Sequence, residues 1–253
     1  MSIPLQAGLV YGPVKSRRLG VSLGVNLAPD ARKVCTFNCA YCQYGWTPPD
    51  PLGASVVDEN WPTPDSIAEA VDQALARTSG IDRITLAGNG EPTLHPDFHD
   101  IVERLRLVRN RRARYARLAI LSNASTLADA SVAAALMRLD ERYMKLDAGD
   151  DVTLRKLNGC GMGIEAIVEG LRRLPDVTLQ ALFTRDAQGK IDNTTEAAIG
   201  AWLTAVVRIR PTAVHVYTID RDPAWKELQK VPREELQQIA AKVKQAGIRA
   251  VVF

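Results

Sequence analysis

Arg83-Ile-Thr-Leu-Ala-Gly-Asn-Gly-Glu-Pro-Thr-Leu-His-Pro-Asp-Phe-His-Asp-Ile-Val-Glu-Arg-Leu-Arg-Leu-Val108 reads in one pass as strand, turn and helix. Arg83 to Ala87 is a short β-rich run, and glycines then break it. Pro96 after His95, with Asp97 in the first turn, predicts a helix start. Ile101, Val102, Leu105 and Val108 then recur at the spacing that puts one apolar stripe along a helix. The same alternation extends outward in both directions. Further strands are predicted at Val21 to Leu27, Arg117 to Ser122, Tyr143 to Asp147, Thr178 to Thr184, Ala213 to Ile219 and Arg249 to Phe253. A helix is predicted from Pro64 behind Thr63, another along Ile164, Ile167, Val168, Leu171 and Leu174, and a last one along Leu236, Ile239, Ala240 and Val243 that Gly247 closes. Strands alternating with helices predict an α/β fold with a parallel sheet. Six or seven such units in one domain over residues 1–253 predict a partial (β/α)6 TIM-type barrel, with a doubly wound open sheet as the other arrangement.

The chain has 253 residues, 46% hydrophobic and 24% charged, and its 32 basic against 29 acidic side chains leave a net charge of +3. That composition excludes disordered and fibrous classes, and the charge names no partner. No apolar run approaches the roughly 20 residues that span a bilayer, so no membrane association is expected. The N-terminus lacks the order of charge and apolarity of a secretory signal, and four cysteines are too few for a disulfide framework. Reduced thiols in a cytoplasmic protein are the expectation.

Three of the four cysteines fall in Cys35-Thr-Phe-Asn-Cys39-Ala-Tyr-Cys42, inside the stretch Ala28 to Pro62, which lacks periodicity and includes the turn-rich Thr47-Pro-Pro-Asp-Pro51. A loop this long inside an α/β domain is usually functional. Three thiolates so close can wrap one metal centre. Structural zinc wants a fourth ligand and would have to recruit Cys160 from far along the chain. A [4Fe-4S] cluster on three cysteines keeps one iron open to a small molecule. Ordinary buried thiols are the third reading.

Cys35, Cys39 and Cys42, with Tyr41 before the last, match the CxxxCxxC signature of the radical S-adenosylmethionine (SAM) enzymes. Gly88-Asn89-Gly90-Glu91-Pro92 resembles that family's Gly-Gly-Glu-Pro segment. Tyr11-Gly-Pro-Val-Lys-Ser-Arg-Arg-Leu-Gly20, Ser22-Leu-Gly-Val-Asn26 and Thr218-Ile-Asp-Arg-Asp-Pro223 are similar to the branch grouped with wyosine-type tRNA-modifying synthases. The resemblance implies a cluster held in the loop after the first strand, with SAM lying across the strand tops and its amino group at Gly88 to Glu91. It implies that methionine's amino and carboxylate groups bind the open iron and that an electron from an external flavodoxin or ferredoxin-type donor splits SAM. A 5′-deoxyadenosyl radical then takes hydrogen from a substrate, here unidentified. One cysteine beyond these three leaves no ligands for the second cluster of the wyosine synthases. The resemblance therefore supports their scaffold more than their reaction, and glycyl-radical activases of similar size offer a second comparison. An iron-sulfur electron carrier and a zinc-stabilised interaction domain are the non-enzyme alternatives.

Lys145 and Asp147 lie two apart in a strand and so share a face, away from Met144 and Leu146. They are read as SAM ligands, or else as a salt bridge inside the barrel. Asn123 ends its strand, a position suited to a hydrogen bond with SAM or to a plain turn residue. His215 and Tyr217 share the polar face of their strand and, with Arg221 and Cys160, are the candidates for substrate chemistry. Arg17 and Arg18 are candidates for an anionic substrate or for pairing at the barrel wall. Arg104, Arg106, Arg109, Arg111, Arg112, Arg114 and Arg117 form the one basic run. A solvated face is the plainer explanation of it; nucleic acid is the other, and nothing else in the sequence points to it.

Overall fold

The computed structural model describes residues 3–48 and 60–253. Chain order gives β1 (Val10–Ser16), β2 (Gly20–Val25), α1 (Pro64–Arg77), β3 (Arg83–Leu86), α2 (Phe98–Arg112), β4 (Arg117–Ser122), α3 (Ala130–Leu136) and β5 (Glu141–Lys145). There follow α4 (Asp151–Asn158), α5 (Ile164–Arg172), β6 (Val177–Leu182), β7 (Thr184–Asp186), α6 (Glu196–Ile209), β8 (Ala213–Tyr217), β9 (Leu228–Lys230), α7 (Arg233–Gln245) and β10 (Ala250–Val252). One eight-stranded sheet runs β1-β2-β3-β4-β5-β6-β8-β10, parallel throughout except for the β1–β2 hairpin. Strands β2, β3, β4, β5, β6 and β8 are the wall of the expected partial barrel, and β10 extends it. β7 and β9 form a separate antiparallel pair.

Alternation along the strands sorts their side chains into two faces. Leu23, Val25, Ile84, Leu86, Leu118, Ile120, Met144, Leu179, Val214 and Val216 point outward and pack with Ile67, Ile101, Leu105, Leu171, Trp202 and Ile239 of the helices. The inner face carries polar groups around a small apolar cluster of Leu19, Ala119, Leu121 and Tyr143. Ser22 and Thr85 share a hydrogen bond of 2.7 Å, Arg83 pairs with Glu141 at 2.6 Å, and Tyr143 Oη donates to Glu141 at 2.9 Å. The edges of the wall are joined by few contacts. Arg17 reaches Asp220 (2.8 Å), Arg221 Nη1 donates to Gln43 (2.7 Å), and Trp225 N donates to Ala40 O (2.7 Å).

Two sequence expectations are corrected. β1 precedes the strand taken as the first, so the cysteine loop follows the second strand, which is the first parallel one. β1 is an edge strand carrying Pro13, with residues 12–15 exposed, so no alternation announces it. α2 starts at Phe98 rather than at Pro96. Residues Pro92–Leu94 form a short 3-10 turn capped by Glu91, and His95 Nδ1 accepts the amide of Asp97 (3.0 Å). Of the turn-rich stretch, Pro49, Asp50 and Pro51 lie outside the described residues.

Candidate active site

The loop from Asn26 onward is clamped on both flanks. On the β3 side, Val34 N donates to Asn89 O and Glu91 N to Val34 O, each at 2.9 Å. A Cβ on Gly90, whose φ is +149°, would lie 1.6 Å from Val34 O, and one on Gly88 would lie 2.3 Å from Asn26 Oδ1. Only a residue without a side chain permits that approach. Asn89 is fully buried. Its Oδ1 accepts from Gln6 N (2.8 Å), and its Nδ2 donates to Gln6 O (2.9 Å) and Pro29 O (3.2 Å). Glu91 is buried too, with one carboxylate oxygen accepting from Asn123 N (2.6 Å) and the other from Thr93 Oγ1 (2.7 Å). Burial raises the Glu91 pKa against these bonds, which lower it. Asn123 Nδ2 donates to Thr36 Oγ1 (2.8 Å) and reaches Cys35 Sγ (3.7 Å).

On the other flank, the last carbonyls of α4 receive the loop. Asn38 N donates to Asn158 O and Ala40 N to Leu157 O, each at 2.8 Å. These helix-end acceptors would otherwise lack partners. Behind them Tyr41, Lys145, Asp147 and Asn158 form one network. Lys145 Nζ donates to Tyr41 Oη, Tyr41 Oη donates to Asp147 Oδ2, and Lys145 lies 3.5 Å from Asp147. Asp147, with a wholly buried side chain, also accepts from Asn158 Nδ2 (2.8 Å) and Leu182 N (2.9 Å). Asn158 Nδ2 reaches Cys39 Sγ at 3.4 Å, while its buried Oδ1 has no partner among the described residues.

Charge and burial oppose each other here. Burial alone would lower the Lys145 pKa, but Asp147, Cys39, Tyr217 and Cys42 outweigh it and raise it. Burial first, then the neighbouring Cys39 and Glu91, pushes the Cys35 thiol up to about 12, and burial also raises Cys39. Both are thiols at neutral pH until something replaces their protons.

The expected site residues thus gather at the strand tops. Cys35, Tyr41, Asn123, Lys145 and Asp147 share contacts with the loop or its network, and Gly88, Asn89, Gly90 and Glu91 form its β3 flank. Arg221 reaches Gln43, next to Cys42. Cys160 is buried, and its Sγ accepts from Met162 N at 3.3 Å. His215 and Tyr217 lie on the inner face. Gln180 Nε2 meets His215 Nδ1 (2.9 Å), and the Arg18 guanidinium stacks on Tyr217 at 4.2 Å. The basic run is paired. Arg104, Arg106, Arg109, Arg111, Arg112 and Arg117 each hold an Asp or Glu, and Arg114 lies over Tyr115.

Two polar residues around the site escaped the sequence reading. Asn158 was legible only as part of a glycine turn, though it is the polar end of an amphipathic helix. Gln180 had a visible signal, an amide in the middle of an otherwise buried strand.

The sequence profile of the Radical SAM superfamily matches residues 33–184, which run from just before Cys35 through β6. The chain belongs to the radical SAM superfamily. A UPF0026 protein of Helicobacter pylori is 30% identical over 235 residues, covering 90% of this chain and 71% of that one. Streptococcus suis SuiB bound to S-adenosylmethionine superposes with a TM-score of 0.64 at 14% identity, over 91% of this chain but 50% of its own. TYW1 with a lysine-pyruvate adduct bound gives 0.61 at 13% identity, over 88% and 73%. At such identities the likeness is one of fold, and this chain spans half of SuiB's length. As a radical SAM protein it is an enzyme. Among the described residues no helix is long and apolar enough to cross a membrane.

Proposed function

We propose that Cys35, Cys39 and Cys42 hold a [4Fe-4S] cluster and that the enzyme uses it to cleave SAM reductively. The observation that carries this reading is the clamped loop itself. Two of its three thiols already accept side-chain amides, from Asn123 and Asn158, and Lys145 sets a positive charge beside Cys39 and Cys42. Amide donors and a nearby cation favour sulfur in its anionic, metal-binding form. Structural zinc takes four protein ligands, whereas this loop offers three cysteines. A cubane takes its thiolates at separate irons, so this donor set suits it better than it suits zinc.

A cluster held there supplies one electron to bound SAM, whose cleavage gives methionine and a 5′-deoxyadenosyl radical able to take hydrogen from substrate. The chain's own residues supply position. Asn89 and Glu91 fix the β3 flank, so that the backbone of Gly88 to Glu91 is held for the amino group of SAM. Lys145, the less buried member of its ion pair, is the group available to an incoming carboxylate, while Asp147 and Tyr41 keep it in place. Electrons come from an external donor of flavodoxin or ferredoxin type.

Anaerobic reconstitution with iron and sulfide tests this directly. About four irons per chain are expected, followed by 5′-deoxyadenosine on addition of reductant and SAM. Cys35→Ala, Cys39→Ala or Cys42→Ala should lose the iron and Cys160→Ala should keep it. Stoichiometric zinc without iron, or iron with no 5′-deoxyadenosine, would overturn the assignment.

A further inference from the structure

Arg18 stands apart from the chain's other inner-face charges. It projects from the β1–β2 turn and is half-buried. Its Nη1 donates to Gln180 Oε1, and its guanidinium lies over the Tyr217 ring. Arg83, on the same face, is matched by Glu141. Among the described residues no carboxylate pairs with Arg18, and its Nε and Nη2 have no hydrogen-bond partner. A guanidinium drawn into a protein wall ordinarily brings an anion with it, because removing the charge from water is costly.

Its neighbours hold it rather than neutralise it. Gln180 is fixed at both ends, accepting from Arg18 and donating through Nε2 to His215 Nδ1. That bond leaves the hydrogen of a neutral His215 on Nε2. Burial first, then Arg18 and Arg249, holds the His215 pKa down to about 4, so the histidine adds no charge at neutral pH. The potential around this layer is therefore positive, and the unused Nε and Nη2 donors form the fork that binds carboxylate or phosphate side-on. Tyr217 links the layer to the strand tops, since its phenol acts electrostatically on both Lys145 and Tyr41.

We propose that Arg18, held between Gln180 and Tyr217, binds an anionic group of the substrate, a carboxylate or a phosphate, on the inner face of the barrel. The proposal rests on the radical SAM reading for what happens to the substrate, and it adds the substrate's charge. Arg17 has no part in it, because its guanidinium is in an exposed pair with Asp220.

The test titrates the anaerobically reconstituted holoprotein with inorganic phosphate and, separately, with acetate, following the ring proton signals of its three histidines. A saturable shift of the His215 signal, assigned with His215→Gln, is expected with one of the anions. Saturation by phosphate indicates a phosphorylated or nucleotide substrate, and saturation by acetate a carboxylic acid. Arg18→Gln should weaken that binding about tenfold or more, the usual size of a lost charge-assisted contact. Arg18→Lys should recover part of it, and Arg17→Gln should leave it unchanged. No saturable shift with either anion in the wild-type protein, or equal affinity in Arg18→Gln and Arg18→Lys, would overturn the proposal. SAM is added to the same wild-type sample. Failure of SAM to alter the signal of the reduced cluster would count against the cofactor reading and leaves the anion titration to decide this one.

Discussion

The two flanks of the cysteine loop solve one problem with different materials. The β3 flank is backbone against backbone, made possible by the missing side chain at Gly90 and locked by the buried amide of Asn89. The α4 flank adds a network of ionisable side chains, Lys145, Tyr41 and Asp147, bridged by Asn158 to Cys39. The first sets a distance that admits no adjustment. The second sets a charge, and charge can be tuned one group at a time.

Substitution should expose the contrast most sharply at Gly90. Gly90→Ala puts a Cβ 1.6 Å from Val34 O, which no rotamer relieves, so loop closure and iron loading should be lost together. Iron content beside thermal melting of the variant checks this, and a variant that loads normally would show that the flank yields. Next in size is Asp147→Ala, which leaves Lys145 buried without its partner and should cost about 3 to 5 kcal/mol in chemical denaturation. Tyr41→Phe keeps the packing and removes one hydroxyl, for about 1 to 2 kcal/mol. Should Tyr41→Phe cost as much as Asp147→Ala, the network acts as a single unit rather than group by group.

The smallest effect lies away from both flanks. With the His215 pKa lowered to about 4 from an ordinary 6.5, the unfolded chain binds a proton that the folded one refuses across that window. Stability therefore rises with pH from about 4 to 6.5 and falls as acid is added. His95, also lowered mainly by burial, adds to the same slope. His215→Gln should flatten only its own share, read as a shallower pH dependence of the melting temperature. An unchanged slope would mean that His215 titrates normally.

How much of this was legible in advance differs by element. Strands such as Arg117–Ser122 were readable to the residue, because a short continuous apolar run and burial coincide there. The sharing of one face by Lys145 and Asp147 followed from period two alone. β1 was not readable, since its residues 12–15 are exposed and its proline argues against a strand. The Gly-Asn-Gly-Glu loop announced itself by composition, but what Gly90 avoids, the carbonyl of Val34, is a neighbour over fifty positions away that no local pattern encodes. Arg18 could be named from the sequence, but its lack of an acidic partner could not, because pairing is a property of the assembled wall.

The seam between the first and last parts of the wall carries one more consequence. Among the described residues no strand pairing crosses it; the Arg17–Asp220 and Arg221–Gln43 contacts, the Trp225–Ala40 backbone bond and Arg18 on Gln180 and Tyr217 do, and the Arg17–Asp220 pair is 68% and 64% exposed. An exposed pair of that kind contributes roughly 0 to 1 kcal/mol. Widening the mouth at the seam therefore costs these polar contacts and the packing of the cluster that includes Ala40, Ile219 and Leu228, whereas widening it elsewhere also means tearing a strand ladder. The seam is thus the part of the wall that parts without breaking a strand ladder, and arginines at positions 17, 18 and 221 stand along it.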